Sequence, residues 1–449
     1  LRMKKAIFMG TALVVTASLA AACSKTDEKP AETASPSKVS DGIDQPTTLT
    51  FYNIARDSEA QFNDTMGDAI RKKFPNLTIH YVERGADKGT DLSSYLPSGE
   101  PIDIIWGSIG SWPGAVPAYE LGYDMTDLIK KYNVDLSRVE PSLIEAMKQM
   151  SGGNQLWGVP IFNSSNVIVY NKDIFDKFGV PYPKDGMTYD DLHSLALKLN
   201  READGVQYTG YSASTSYTIL MNPYSVPMID PKTGRSTYDT DSRWPKIIET
   251  EMMQFARESA YQAVAQQYRK KITPLTADQF LKDKVLAMTI AGPLWPIVLK
   301  DQLKEMNWNF VAMPTFPDLP GVGDQSYPTY MSIPSISKNK DAAMKVIKYL
   351  VSDEFQLDTS KKGNMTVLTN KEIQKAMGQD GFFKGINYGA FFYNKFAPIA
   401  NDDRNLATKT KALYAIDYDS LMNGSKDINT MLRDAAEKVN KAIEAENSK

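Results

Sequence analysis

Two histidines, His80 and His193, and one cysteine, Cys23, are all that the chain offers of the side chains most used to move protons near neutral pH or to hold transition metals. His80 alternates with Ile79 and Tyr81 in a predicted strand and His193 lies in a predicted helix, neither beside a second ligand or base in sequence. A lone cysteine forbids an intrachain disulfide and a Cys-x-x-Cys zinc pair, and no His-Glu-x-x-His helix occurs. Phosphate loops of the Gly-x-x-x-x-Gly-Lys-Ser/Thr type and Gly-x-Ser-x-Gly nucleophile elbows are missing too. Asp230 and Asp239 flank a hairpin, but the turn itself accounts for Asp230 and the oxygen spacing of an EF-hand loop is absent. No catalytic residue, metal or cofactor is therefore expected. A hydrolytic carboxylate pair stays open, because 54 acidic residues can meet in space in ways that chain spacing does not reveal.

With 449 residues, 42% hydrophobic and 23% charged, the chain can build two or three domain-sized cores. Its 51 basic and 54 acidic residues lack the basic footprint that nucleic-acid phosphates require. Arg2, Lys4 and Lys5 precede a charge-free apolar run over 6–22, the layout of a secretory signal peptide. At about 17 residues the run sits at the short end for spanning a bilayer. Cys23 directly follows Leu19-Ala20-Ala21-Ala22, which is similar to a bacterial lipobox with its leucine one step early. Residues 1–22 are read as signal peptide, Cys23 as a lipidation (palmitate-type acylation) site, and 23–45 as a flexible tether. That tether has only Val39 and Ile43 as branched apolar residues.

Any site must be positioned by alternating strands and helices. Strands are expected over 47–53, 77–82, 102–106, 166–170, 285–290 and 309–313, with the continuous apolar 102–106 covered on both faces. Helices are expected over 64–74, around 119–132, over 173–178 closed by Gly179, after the Thr188 cap, over 244–271 and 276–284, and from Pro293. A clear amphipathic helix lies within 337–363 and another over 427–447, and Asp230 to Gly234 reads as a hairpin turn. Strand and helix in alternation imply an α/β fold with mostly parallel sheets.

Three stretches together resemble the extracellular solute-binding proteins of ABC importers, the maltose-binding-protein-like group that takes up sugars and oligosaccharides. They are Pro101 to Ser108, then Gly158-Val159-Pro160 with Tyr170-Asn171-Lys172-Asp173 and Phe178-Gly179-Val180-Pro181, then Ala291-Gly292-Pro293 with Ser335 to Lys340. The resemblance implies a periplasmic-binding-protein-like fold of two α/β lobes joined by a multi-crossing hinge. Lobe one would be 46–161 and 330–384, and lobe two 162–329 and 385–449. It also implies a monomer that delivers a sugar to the permease of an ABC importer. Lipid anchoring on the extracytoplasmic face of the membrane favours a Gram-positive host, whose cells would lose a free binding protein by diffusion. The alternatives are a non-sugar solute, a sensory role, or a polysaccharide-degrading enzyme.

A sugar offers C–H faces to aromatic rings and hydroxyls to directional polar groups. After the first strand the expected ligand residues are Asn53, Arg56 and Asp57, and after the 102–106 strand Ser108, Ser111 and Trp112. The family's first crossing carries a polar contact six residues before Tyr170, which falls on Ser164, next to Asn163; the carboxylate of many maltodextrin binders is missing there. Lobe two would add Tyr217 in a family ligand loop and Trp295, one residue past the place where the Gly-Pro motif presents an aromatic and where Leu294 stands. Tyr330, with Tyr327, marks the second crossing, while Trp106, Trp157, Trp244 and Trp308 are expected in cores.

Overall fold

From Leu49 onward the first strand is buried on both faces, and the rest of the first sheet is assembled around it. In the computed structural model, which describes residues 40–448 apart from 56, 86 and 402–405, β1 (Thr47–Asn53) pairs in parallel with β2 (Leu77–Glu83) and β3 (Ile104–Ser108). Leu49 and Phe51 enter one core with Phe62, Met66 and Ile347, while Tyr52 enters another with Ile105, Trp112 and Met147. Asp103 marks where β3 begins: its buried carboxylate accepts from the Thr50 amide at 3.0 Å and the Ser337 hydroxyl at 2.8 Å. That bond ties the 337 loop to the sheet.

β4 (Val159–Phe162) crosses directly into a second sheet through β5 (Val167–Asn171). A small ribbon of β6 (Glu202–Ala203) and β7 (Val206–Gln207) precedes β8 (Thr209–Ser212), β9 (Leu286–Ala291) and β10 (Trp308–Ala312). β11 (Val322–Gln325) leads back to β12 (Thr329–Ser332) in the first sheet, and β13 (Lys395–Ala397) pairs with β11. The first sheet has the order β2-β1-β3-β12-β4 and the second β10-β5-β9-β8. β12 runs antiparallel to both neighbours, as does β5. The expected parallel pairing thus holds for β2-β1-β3 and β8-β9 and gives way where a strand enters straight from the other sheet, without a helix to reverse it.

Local signals fold as read. Gly179 closes the helix Lys172–Phe178 at φ 63°, and Thr188 forms a reciprocal cap with Asp191. Several predicted helices are cut, each at a nameable residue. Glu120, at φ 54°, breaks the stretch 119–132, leaving only Thr126–Lys131. Glu258, in extended conformation, divides 244–271, and Ser352 caps a second helix, Asp353–Lys361, after Lys340–Leu350. Met365 and Met377, expected in lobe one, pack into the core of the second sheet.

Cys23 and the signal stretch lie outside the described residues, as does most of the tether. Its last part is packed: Ile43 is buried, its carbonyl accepts from Asn76 at 3.1 Å, and Lys345 donates to the Gly42 carbonyl. One branched side chain seated in a core orders what composition alone assigns to a linker. Among the described residues no helix is long and apolar enough to cross a membrane.

Candidate ligand site at the strand ends

The two crossings, 163–166 and 326–328, bring strand ends of both sheets to one place. On the first sheet the register sets Thr329 opposite Ser108 on one side and Phe162 on the other, with Asn53 opposite Trp106. On the second, Val167 faces Ala291 and Ser212 faces Thr289, so the segments after β8 and β9 leave beside the start of β5. Loops at the carboxyl ends of β1, β3, β8 and β9 therefore flank the crossings, the usual place for ligands in open α/β sheets.

Asn53 is fully buried and its amide is committed. Its Oδ1 accepts from the Ala55 amide at 2.6 Å, and its Nδ2 donates to Asp57 Oδ2 at 3.1 Å and the Tyr81 hydroxyl at 2.7 Å. Tyr81 in turn donates to the Asp57 carbonyl at 2.6 Å. Asn53 thus shapes the loop, with both ends of its amide bonded within the protein; Asp57 is half-buried. Arg56 lies outside the described residues. The Ser108 and Ser111 hydroxyls sit 3.1 Å apart and half-buried at the end of β3. Two glycines allow this rim to form. A Cβ on Gly107 would come within 2.1 Å of Ile54, and one on Gly110 within 1.8 Å of the Tyr327 hydroxyl.

Two aromatics expected in the site belong to the core. Trp112 has no exposure: its Nε1 donates to Ser332 Oγ at 2.8 Å and its ring lies against Trp157, 6.1 Å between centroids. Tyr330 is equally buried and donates to the Leu143 carbonyl at 2.7 Å. In β12 the side chains alternate, which turns Tyr330 inward. Tyr327, three residues earlier and outside the strand, takes the position by Gly110.

At the first crossing Asn163 is 5% exposed, with Nδ2 on Ser326 Oγ at 3.2 Å and Oδ1 accepting from the Ser164 amide at 2.8 Å. It laces the two crossings together rather than presenting a free amide. Ser164 is half-buried, and its carbonyl accepts from the Tyr327 amide at 2.7 Å. On the second sheet Ser214 caps the helix Thr215–Leu220, which carries Tyr217 at 38% exposure. Burial and the nearby Tyr327 phenol both push the Tyr217 hydroxyl up from its ordinary value, so it stays a neutral donor. Trp295 is half-buried and edge-on to Phe280 at 6.4 Å, whereas Leu294 beside it is 47% exposed.

His80 is exposed on β2, and His193 approaches Glu258 at 3.5 Å, a partner 65 positions away that no local pattern could reveal. Asp230 accepts from the amides of its own turn, at 2.7 Å from Lys232, as the turn reading requires. Among the described residues no group of three or more acidic, histidine or cysteine side chains could hold a metal.

The profile of the bacterial extracellular solute-binding proteins matches residues 57–357 of this sequence. The chain belongs to this family. An uncharacterised ABC transporter extracellular-binding protein of Pyrococcus horikoshii is 30% identical to this solute-binding protein over 146 residues, which is 31% of this chain and 32% of the archaeal one. That match spans about a third of the relative's length. Among solved structures, a sugar transporter protein of Rhizobium etli in an open conformation superposes with a TM-score of 0.67 at 18% identity, over 88% of this chain and 99% of that one. An ABC substrate-binding protein of Listeria monocytogenes in complex with cycloalternan gives 0.66 at 18% identity, with the same coverage. At such identities the likeness is one of fold, and the fold of this solute-binding protein is periplasmic-binding-protein-like.

Proposed function

We propose that this protein is the lipid-anchored substrate-binding subunit of an ABC importer, capturing a sugar or oligosaccharide at the strand ends and presenting it to a membrane permease. The observation that carries the reading is the side-chain chemistry around the two crossings. Half-buried hydroxyls of Ser108, Ser111 and Ser164 lie at the end of β3 and on the first crossing, with Tyr327 beside Gly110; Tyr217, Leu294 and Trp295 follow β8 and β9 of the second sheet, and Asp57 is the one charged group among these candidates. Hydroxyls beside half-exposed rings suit a neutral polyol with apolar faces better than a phosphate or carboxylate, which would want arginines and helix N-termini. The sugar transporter protein of Rhizobium etli and the Listeria monocytogenes protein in complex with cycloalternan, alike in fold, point the same way.

The mechanism is binding without bond breaking. Lobes divided near 161 and 329, with 330–384 returning to the first and 385–449 to the second, would rotate about the crossings. A ligand touching Ser108 or Ser111 on one side and Tyr217 on the other gains contacts available only in the closed form, and so shifts the population toward it. Cys23, acylated, would keep the protein at the cell surface.

Thermal unfolding of the protein scanned against mono- and oligosaccharides tests this, with amino acids, peptides and polyamines as controls. A ligand at 100 times its Kd adds about 2.7 kcal/mol and raises Tm. A shift with one sugar class and no product released is expected. A shift with only a control compound overturns the sugar, and release of a cleaved product overturns the absence of chemistry.

A further inference from the structure

Glu251 and Asp324 are buried carboxyls, 2% and 6% exposed, and neither has a cation within ion-pairing distance among the described residues. Glu251 sits in a wide turn of the helical stretch 243–256, and Asp324 on β11. What faces them is neutral. Tyr189 from the helix Tyr189–Leu197, Tyr211 from β8, Thr218 from the helix Thr215–Leu220 and Tyr418 from the helix Tyr418–Met422 surround Glu251. Asn166 Nδ2 donates to Asp324 Oδ2 at 2.7 Å. The exposed Lys395 of β13 is the one cation lining the small opening beside Asp324, and it makes no ion pair with it. The cluster is short of partners: Glu251 Oε1, Thr218 Oγ1 and the Tyr189 and Tyr211 hydroxyls are buried without hydrogen-bond geometry to any group among the described residues. The Thr218 and Tyr189 hydroxyls lie close enough to Glu251 to favour its charge, yet are not aligned to bond it.

Two carboxylates in one low-dielectric chamber cannot both be ionised without a counter-charge. We propose that Glu251 and Asp324 form an internal proton-binding site that locks both crossings to the helix bearing Tyr217. The connections are short. Asn166 ends the first crossing, Asp324 precedes Gln325-Ser326-Tyr327 of the second, and Thr218 adjoins Tyr217. While the pair is protonated the chamber is neutral and the three elements stay packed; loss of the protons leaves uncompensated charge, and the chamber loosens. Burial pushes Asp324 up to about 7, and burial with Asp324 beside it pushes Glu251 well above its usual range. Both carboxyls have folded values above the unfolded ones. Their stabilisation is therefore complete below the ordinary carboxyl range and is lost as pH rises through about 7 and beyond. Each site lowers the folded-to-unfolded ratio about tenfold per pH unit inside its window.

The test is the Tm of the full chain from pH 5 to pH 8.5 for wild type, Glu251→Gln, Asp324→Asn and the double variant. Wild type is expected to lose stability across this range. The double variant is expected to be nearly flat and to exceed wild type at pH 8.5. A double variant with the wild-type slope overturns the proposal. So does a Tm rise on adding CaCl₂ or NaCl that the double variant lacks, which would make the chamber a cation site. Should a variant fail to fold, the infrared difference spectrum of wild type between pH 5 and pH 8.5 decides: loss of a protonated carboxyl C=O band supports the site, and its absence refutes it. The consequence for ligand rests on the sugar reading. Affinity for whichever sugar raises Tm should fall severalfold from pH 6 to pH 8.5 in wild type and not in the double variant. If no sugar binds, that reading fails while the Tm slopes still judge the proton site.

Discussion

At the strand ends of the first sheet, Asn53, Trp112 and Tyr330 are wholly buried, each polar atom engaged by a neighbour within 3.1 Å. At those of the second, Tyr217 and Leu294 keep 38% and 47% of their surface. Both regions flank the same crossings, and both carry aromatic and amide residues that look alike in the chain. They differ in what the residues support. The first sheet uses its large side chains as footing for a rim of small hydroxyls, Ser108 and Ser111, over Gly107 and Gly110. The second leaves Tyr217 and Leu294 partly at the surface, on a short helix and a turn, with Trp295 half-buried beside them. A ligand would meet directional groups on one side and apolar faces on the other, a division suited to a sugar.

Three substitutions bear on that comparison. The largest effect is expected for Trp112→Ala, which removes a fully buried indole and orphans Ser332 Oγ. A loss of about 3–5 kcal/mol in denaturant unfolding is expected. A variant that unfolds like wild type yet no longer binds would erase the distinction between the two rims. Asn53→Ala should cost about 1–3 kcal/mol, because the Ala55 amide and the Tyr81 hydroxyl lose their partner. Unchanged unfolding with weakened binding would return Asn53 to the ligand. The smallest stability effect, within about 0.5 kcal/mol, belongs to Tyr217→Ala, since its ring is partly exposed. Binding measured by titration calorimetry should weaken about tenfold, near the upper end for one stacked ring. Wild-type affinity would remove Tyr217 from the site.

Much of the architecture was legible because its signals are local. The Thr188 cap, the Gly179 stop and the Asp230 to Gly234 turn each act within a few residues, and all appear where their spacing puts them. Cuts within helices were missed for the same reason: the 337–363 stretch keeps its apolar period through Ser352, and only the seating of Phe355 in the core requires a new helix there. The candidate site was legible as loops and less so as side chains. Ser108, Ser111 and Ser164 lie at or beside the crossings, whereas Trp112 and Tyr330 are buried footing and the half-buried Tyr327 takes the place by Gly110. The Glu251 and Asp324 pair, 73 positions apart, left no trace in spacing.

Residue order by itself determined β1, β2, β3, β5, β9 and β10, the Thr188 cap, the Gly179 stop, the Asp230 turn and the family, because periods of two and 3.6 residues and motif spacing are properties of neighbours along the chain. Only the tertiary structure decided which rings face solvent and which carboxyls share a chamber. Trp112 is buried because Ser332, 220 residues later, closes over its nitrogen. Glu251 lacks a counter-charge because strands and helices from four parts of the chain surround it with neutral groups. Burial and electrostatic environment depend on distance in space, and the chain sets that distance only after it has folded.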